Sequence, residues 1–202
     1  MIRYLADPAN VITMIGLLFS AFGFYLVLAG QIEFGVASVL WAALMDDLDG
    51  IVASRTRNRR SDLAKMGKSL DGFADIVYGA VFPAVVILQI SNAEILSLVT
   101  AMAMLTAGAL RLSYFNNFGL SDDGRFLGVP LFYDVPLLAV FLLLRPVLPV
   151  ENQVLILNLV FLVLALLHVS SIRVPATTGP MYAVTTLCIV SASALLIAGQ
   201  VL

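Results

Sequence analysis

Five aspartates stand inside or directly beside long apolar runs, where a helix facing lipid could not tolerate them. Three end one run and two begin the next; they are Asp46, Asp47, Asp49, Asp71 and Asp75. Each ionised carboxylate near the middle of a membrane helix costs ~2.5–3.5 kcal/mol, so five exposed to lipid would cost roughly 12–17 kcal/mol. These side chains must therefore face the protein interior or water, beside cations. The segment that holds them is the first candidate for a functional centre.

The composition indicates the class of protein. Of 202 residues, 61% are hydrophobic and 12% are charged, whereas about 25% of the residues in a soluble domain are charged. The sequence therefore predicts an all-α integral membrane protein, with one transmembrane domain over residues 1–202 and no nucleic-acid partner. Cys188 lies in an apolar run and predicts no disulfide. We assign His168, the single histidine, a packing or hydrogen-bonding role.

Seven apolar windows are long enough to cross the ~30 Å hydrocarbon core of a bilayer. The fifth contains three prolines, so six or seven crossings are expected. Ahead of the first window, residues 1–10 predict a short interfacial helix broken at Pro8. The windows are 11–29, 34–54, 69–90, 95–117, 129–148, 153–172 and 181–201.

The basic residues orient these windows in the membrane. All eleven Lys and Arg residues except Arg145 fall on the side of the N-terminus and of a basic loop over residues 55–68. We expect the protein to lie in the cell inner (cytoplasmic) membrane. Because cytoplasmic loops carry an excess of Lys and Arg, this side is predicted to face the cytoplasm. Both aspartate groups lie on this side, so the site should open toward the cytoplasm. With seven crossings, the C-terminus would lie outside.

The spacing of the aspartates places four of them on two helix faces. At 100° per residue, Asp46 and Asp49 project about 60° apart and Asp71 and Asp75 about 40° apart, whereas Asp47 points about 100° away from Asp46. Two helices can thus present four carboxylates to one space, which requires cations between them. A site made only of oxygen ligands favours Mg²⁺ or Mn²⁺ over zinc.

Two glycines accompany the aspartates and complete a motif. Gly50 follows Asp49, and Gly67 precedes Asp71 by one helical turn; both would let a bulky ligand approach the backbone, although glycine also packs membrane helices. The chain reads D-x-x-D-G-x-x-A and then G-x-x-x-D-x-x-x-D, a pattern that resembles the signature of the CDP-alcohol phosphotransferase family of membrane phospholipid synthases. The motif residues are Asp46, Asp49, Gly50, Ala53, Gly67, Asp71 and Asp75.

The resemblance implies a fold and a chemistry. The family has six core helices around a polar cavity with two metal ions, which would fit residues 8–178 and leave the last window as an additional C-terminal span. By resemblance, Asp46, Asp49 and Asp71 would bind two divalent cations, Mg²⁺ or Mn²⁺, with Asp71 bridging them. Asp75 would complete the second metal site and act as the general base on the acceptor hydroxyl. A homodimer is a further expectation from the family.

The basic loop departs from the family pattern in two ways. Ser54 stands where the family has Arg directly after Ala53, and the interval between the two halves of the motif is several residues longer than usual. We expect the loop to bulge while the aspartates keep their places, with Arg55 or Arg57 replacing the family arginine. The expected CDP-lipid contacts are therefore Gly50, Ala53, Arg55 and Gly67.

Four stretches of the chain, three of them in its second half, resemble the phosphatidylserine synthase branch of the family. This resemblance implies transfer of a phosphatidyl group from a lipid such as CDP-diacylglycerol to L-serine, giving phosphatidylserine and CMP. The protein would be surrounded by membrane lipids. The stretches that carry it are ADIVYGAVFPA at 74–84, ALRLSYFNN at 109–117, GVPLFYDVPLLAV at 128–140 and VSSIRVP at 169–175.

The serine carboxylate would require a cation, preferably a guanidinium. Arg111 is the first candidate, with snorkelling at a helix end as the alternative. Asn116 or Asn117 would contact the amino or hydroxyl group. We expect Asp134 to pair with Arg111 or Arg173, or to contact the serine amino group.

Two other functions remain open at this point. The same chemistry on inositol phosphate or glycerol phosphate would require clustered cations, and Arg57, Arg59 and Arg60 leave that open. An ion-coupled transporter also places carboxylates in broken membrane helices. However, the two halves of this chain do not mirror one another, and the acids lie together at one end.

Overall fold

The computed structural model describes residues 1–176 and 179–201. Its helices are α1 (Pro8–Leu28), α2 (Ile32–Arg55), α3 (Ser61–Ile76), α4 (Phe82–Ile90), α5 (Ile95–Phe118), α6 (Asp134–Leu144), α7 (Gln153–His168) and α8 (Gly179–Val201). A π-helical segment, Val77–Val81, joins α3 to α4 in one continuous rod. Short 3₁₀ turns flank these helices at Ile2–Ala6, Leu131–Tyr133, Arg145–Val147 and Val150–Asn152.

The described residues include five helical segments that are long and apolar enough to cross a membrane, and the predicted all-α integral membrane protein is confirmed. Helix α2 has 24 residues but carries three aspartates near its C-terminal end. Helix α6 has only 11 residues, about 16 Å of α-helix, and 3₁₀ turns extend it at both ends. The five segments are Pro8–Leu28, Ser61–Ile90, Ile95–Phe118, Val150–His168 and Gly179–Gln200.

The basic loop is shorter than the charge pattern predicted. Helix α3 begins at Ser61, so the non-helical part is confined to residues 56–60, where Asn58 takes a positive φ of 55°. Asp62 lies in the first helical turn, where a negative charge favours the helix dipole. The basic charges over residues 55–68 suggested a loop, but residues 61–68 are helical.

Helices α1 and α2 approach one another backbone to backbone. A Cβ atom built at Gly23 would lie 2.9 Å from the carbonyl oxygen of Gly35, and one built at Gly35 would lie 2.9 Å from that of Gly23. Small residues at such crossings are typical of membrane helix packing. The close approach places Thr13 of α1 beside Asp49 of α2, and its hydroxyl hydrogen-bonds the Asp49 carboxylate.

A two-stranded ribbon connects the loops at the same end of the bundle. Strand β1 (Arg125–Leu127) pairs antiparallel with β2 (Arg173–Pro175), with Phe126 opposite Val174. The ribbon ties the connection before α6 to the connection between α7 and α8. The apolar core lies deeper, around residues such as Leu40, Phe82 and Phe161, so the polar side chains gather at one end of the protein.

Candidate metal and substrate site

Three of the predicted metal ligands come together as expected from the helix geometry. Asp46 and Asp49 of α2 and Asp71 of α3 each offer a carboxylate oxygen, and these oxygens lie within 4.8 Å of one another. Asp75 lies outside this group of three but lines the same cavity. The two halves of the motif therefore share one site.

Tyr78 links Asp75 to the group. Its hydroxyl lies 3.0 Å from Asp46 Oδ2 and 3.0 Å from Asp75 Oδ1, and it can donate its single proton to one of them at a time. The side chain is fully buried and stands in the π-helical segment, a feature often found at functional sites. The sequence analysis missed Tyr78. A tyrosine three residues after Asp75 in an apolar run was the available signal.

The donor set fits a divalent cation. The group is made of carboxylate oxygens, which hard cations prefer. Asp46 Oδ1 is buried and has no hydrogen-bond partner among the described residues. The salt bridges found in the described part of the chain do not involve any of the four aspartates. No protein cation therefore pairs directly with the cluster among the described residues, and a bound metal would compensate its negative charge.

Two cavities meet at the carboxylates. Cavity 1 has a volume of about 210 Å³ and cavity 2 about 200 Å³, and Asp49, Gly50 and Asp71 line both. The lining of cavity 1 also includes Asp46, Asp47, Asp75, Tyr78, Arg111, Phe115, Phe126, Phe132, Tyr133 and Tyr182. The lining of cavity 2 also includes Asn10, Thr13, Ala53, Arg59, Gly67 and Lys68. A ligand in either cavity would thus contact the same metal site from a different side.

Cavity 2 is lined by three of the four predicted lipid-binding residues, and Arg59 lines it in place of the fourth, Arg55. Gly50, Ala53 and Gly67 line it, whereas Arg55 is exposed at the end of α2 and lines neither cavity. Arg59, which the sequence analysis did not select for this site, lies in the wall instead. A Cβ atom at Gly67 would lie 2.7 Å from Arg59 Nη2, so a larger residue at this position would displace the guanidinium.

Arg59 is fixed by the start of α1. Its Nε and Nη2 donate to Asp7 Oδ2 and Oδ1 at 2.8 and 2.9 Å, and Nη2 also donates to Asn10 Oδ1 at 2.9 Å. Burial raises the pKa of Asp7, but the hydrogen bonds from Arg59 and from the backbone, together with the Arg59 charge, outweigh it and hold that pKa below its usual value. Asp7 therefore stays ionised at neutral pH and holds the Arg59 guanidinium beside Gly67.

Arg111 is buried in the wall of cavity 1. Its side chain is 6% exposed, and its guanidinium carbon lies 5.3 Å from the Phe115 ring centre and 5.4 Å from that of Phe126. Its Nε has no hydrogen-bond partner among the described residues. A snorkelling arginine would reach out to water, whereas Arg111 is directed inward and keeps donor capacity for a ligand.

Asp134 pairs with a residue that the sequence analysis did not propose. Its Oδ1 lies 3.1 Å from His168 Nε2, and His168 Nδ1 lies 2.8 Å from the Val129 carbonyl oxygen. Because that oxygen can only accept, Nδ1 carries a proton. The expected pairing of Asp134 with Arg111 or Arg173 is therefore wrong, and Arg173 contacts Asp123 at 3.0 Å. The hydrogen-bonding role expected for the histidine is confirmed.

Three of the acceptor candidates line neither cavity 1 nor cavity 2. Asp134 is fully buried and does not line cavity 1, although its neighbour Tyr133 does. Asn116 lines neither cavity; its backbone oxygen accepts a hydrogen bond from Lys68 Nζ at 2.8 Å. Asn117 also lines neither cavity. Of the four residues named as acceptor candidates, the structure thus brings only Arg111 to the carboxylates.

The fold and the site define a class of protein: a helical membrane protein whose second and third helices present a carboxylate metal site between two cavities. The family model for CDP-alcohol phosphatidyltransferase matches residues 7–201. The chain belongs to this family, which is known to use divalent metals, and its aspartate group could bind one.

Two curated relatives are similar over part of the chain. One is an archaetidylserine synthase from Methanothermobacter thermautotrophicus, 32% identical over 104 residues, which cover 50% of this chain and 43% of the relative. The other is a CDP-diacylglycerol–serine O-phosphatidyltransferase from Methanocaldococcus jannaschii, 30% identical over 132 residues, 65% of this chain and 59% of the relative. The matches span about half the length of these relatives.

Proposed function

We propose that the protein transfers a phosphatidyl-type group from a CDP-lipid, such as CDP-diacylglycerol, to L-serine. The observation that carries this proposal is the carboxylate group between two cavities, one with a fixed arginine and one with a buried arginine. Membership of the CDP-alcohol phosphatidyltransferase family and similarity to two proteins named as serine-type synthases support it.

The CDP-lipid occupies cavity 2 in this proposal. Arg59 uses Nε and Nη2 for Asp7 and Asn10, and its Nη1 makes no hydrogen bond to the described residues, so it can donate to a phosphate oxygen. Gly50 and Gly67 line the same space and let the diphosphate approach the helix backbones. Mg²⁺ or Mn²⁺ held as two ions by Asp46, Asp49, Asp71 and Asp75 would neutralise the phosphate charge.

Serine occupies cavity 1. Its hydroxyl oxygen forms a bond to the phosphorus that bears the lipid, and the bond from that phosphorus to the oxygen of CMP breaks. Asp75 takes the hydroxyl proton, and Tyr78 orients the Asp75 carboxylate. The products are a phosphatidylserine-type lipid and CMP, and the proton passes to solvent.

The cation content of cavity 1 favours serine over a phosphorylated alcohol. Arg111 is the one basic side chain among the described residues that line it, whereas inositol phosphate or glycerol phosphate would require clustered cations. Arg57 and Arg60 are exposed and line neither cavity. Family membership in turn argues against the ion-coupled transporter.

The site faces the cytoplasm in this proposal. The N-terminal ends of α1, α3 and α8 and the C-terminal ends of α2 and α5 surround the cavities, and all Lys and Arg residues except Arg145 were assigned to this side. Both CMP and serine are water-soluble, which suits a cavity open to the aqueous side.

An acceptor screen tests the function. Purified protein in detergent is given CDP-diacylglycerol, Mg²⁺ or Mn²⁺, and labelled serine, inositol, inositol phosphate or glycerol phosphate, and CMP release is measured. We expect serine to give labelled lipid and CMP in equal amounts. Release with glycerol phosphate but not with serine would keep the reaction class and reject the acceptor.

A further inference from the structure

Asp47 is the one aspartate of the first group that the metal site does not use. As its position on the helix predicted, it turns away from Asp46, toward α8. It nevertheless lines cavity 1, and among the described residues it makes no salt bridge. A half-buried carboxylate in a substrate cavity without a cation is unusual unless a ligand supplies one.

Helix α8 closes the cavity beside Asp47 without satisfying it. Tyr182 lines the cavity, and Thr185 Oγ1 lies 3.4 Å from Asp47 Oδ2. The same hydroxyl lies 3.1 Å from the carbonyl oxygens of Met181 and Tyr182, so its single proton has two closer acceptors. The Asp47 oxygens therefore keep their lone pairs for another donor.

Arg111 supplies the complementary observation in the same cavity. It is 6% exposed, lines cavity 1 and has a buried Nε with no partner in the described part of the chain. Apart from the metal cluster, the cavity thus offers one anion without a cation and one cation with spare donors. That combination matches a small zwitterion, which carries an ammonium and a carboxylate.

We propose that Asp47, placed against α8, binds the ammonium group of the acceptor, while Arg111 binds its carboxylate. The acceptor class is then a hydroxylated amino acid rather than a phosphorylated alcohol, because a phosphorylated alcohol carries no ammonium group for Asp47. This inference rests on the proposed function, and it makes α8 part of the acceptor site.

The test compares Asp47→Asn with wild-type protein in CMP release from CDP-diacylglycerol. Loss of one charge-assisted hydrogen bond of ~1.5–3 kcal/mol should raise the serine KM by roughly ten- to a hundred-fold. The KM for the CDP-lipid and the Mg²⁺ concentration for half activity should not change. Asp47→Glu, which keeps the charge, should retain more serine affinity than Asp47→Asn. Glu94→Gln, an exposed acid outside both cavities, is the matched control.

Serine fragments separate the two ends of the acceptor. Ethanolamine lacks the carboxylate and 3-hydroxypropanoate lacks the ammonium, and each is measured as a competitor of serine. Asp47→Asn should weaken competition by ethanolamine and leave that by 3-hydroxypropanoate unchanged, and Arg111→Ala should do the reverse.

Four results would decide against this inference or against its premise. A shifted Mg²⁺ dependence in Asp47→Asn would make Asp47 a metal ligand. An unchanged serine KM, or equal weakening of both competitors, would leave it a structural residue. Wild-type protein that releases no CMP with serine would instead reject the proposed function, before any variant is compared.

Discussion

The guanidinium of Arg59 donates two hydrogen bonds to the carboxylate of Asp7, which lies 52 residues earlier in the chain, with Nε–Oδ2 at 2.8 Å and Nη2–Oδ1 at 2.9 Å. The pair joins the segment before α3 to the start of α1. It also fills the space above Gly67, beside the carboxylates that line cavity 2. A long-range ion pair thus places a cation in the wall of cavity 2, in a chain that has Ser54 where the family pattern has arginine.

Asp7→Asn should weaken both stability and lipid binding. The pKa of Asp7 is held below its usual value, so its contribution is fully present above the unfolded pKa of about 3.9 and is lost as pH falls through the lower folded pKa. At pH 7 we expect a loss of roughly 1.5–3 kcal/mol and a higher KM for the CDP-lipid. Thermal unfolding in detergent at pH 7 and at pH 3 measures the difference, which should shrink at the lower pH.

Asp62→Asn is the control for that experiment. Asp62 pairs with Arg60, and both side chains are exposed, at 37% and 68%, so water screens the pair. The stability of the Asp62→Asn variant should stay close to that of the wild-type protein at pH 7 and at pH 3. If the two variants behave alike, the Asp7–Arg59 pair does not hold the site.

Removing one carboxylate of the metal group should abolish activity without unfolding the protein. Asp46→Asn, Asp49→Asn and Asp71→Asn each take away a ligand but also relieve repulsion among close acids. CMP release should vanish, while the melting temperature in chelator stays equal or rises. Chelator should also stop the wild-type enzyme reversibly. Full activity in excess chelator would refute the metal assignment.

Tyr78→Phe should lower the rate more than it changes substrate affinity. The buried hydroxyl bridges Asp46 and Asp75, and an unsatisfied buried polar group costs about 1–3 kcal/mol. We expect kcat to fall about ten-fold or more, with both KM values close to wild type. Tyr114→Phe, at a partly exposed tyrosine outside cavities 1 and 2, is the matched control. Equal activity of the two variants would remove Tyr78 from the site.

Arg111→Ala should act on serine alone. Losing the guanidinium should raise the serine KM by roughly ten- to a hundred-fold, whereas the KM for the CDP-lipid should barely move because we propose that this substrate binds in cavity 2. Initial rates with each substrate varied in turn give both constants. Equal weakening of both substrates would indicate a packing role between Phe115 and Phe126.

Reporter fusions test the orientation. A reporter within residues 56–60 and another after Leu202 should report opposite sides of the membrane if the chain crosses seven times. The shortness of α6, at 11 residues, makes it the segment in question. Two reporters on the same side would mean an even number of crossings after residue 60 and would place α6 within the protein rather than across the bilayer.

The sequence was sufficient for the class of protein and the centre of its site. In the described part of the chain, five of the seven predicted apolar windows correspond to helices long and apolar enough to cross a membrane, whereas the windows 34–54 and 129–148 do not. Such windows indicate helical spans because lipid offers no hydrogen-bond partners for backbone groups. The 100° helical step brings Asp46 and Asp49 onto one face, and the structure has them within 4.8 Å of each other and of Asp71. These features depend on the local helical periodicity, which can be read directly from the sequence.

Partners that lie far apart along the chain needed the tertiary structure. Tyr78 meets Asp46 only after α2 and the α3–α4 rod pack together, and Arg59 rather than Arg55 lines cavity 2 because Asp7 and Asn10 hold it there. Asp134 pairs with His168 for the same reason. The sequence by itself determined which helices carry the charges, because helical periodicity is local. Only the packing of those helices decided which charge meets which, because side-chain contacts depend on how the helices are arranged in space.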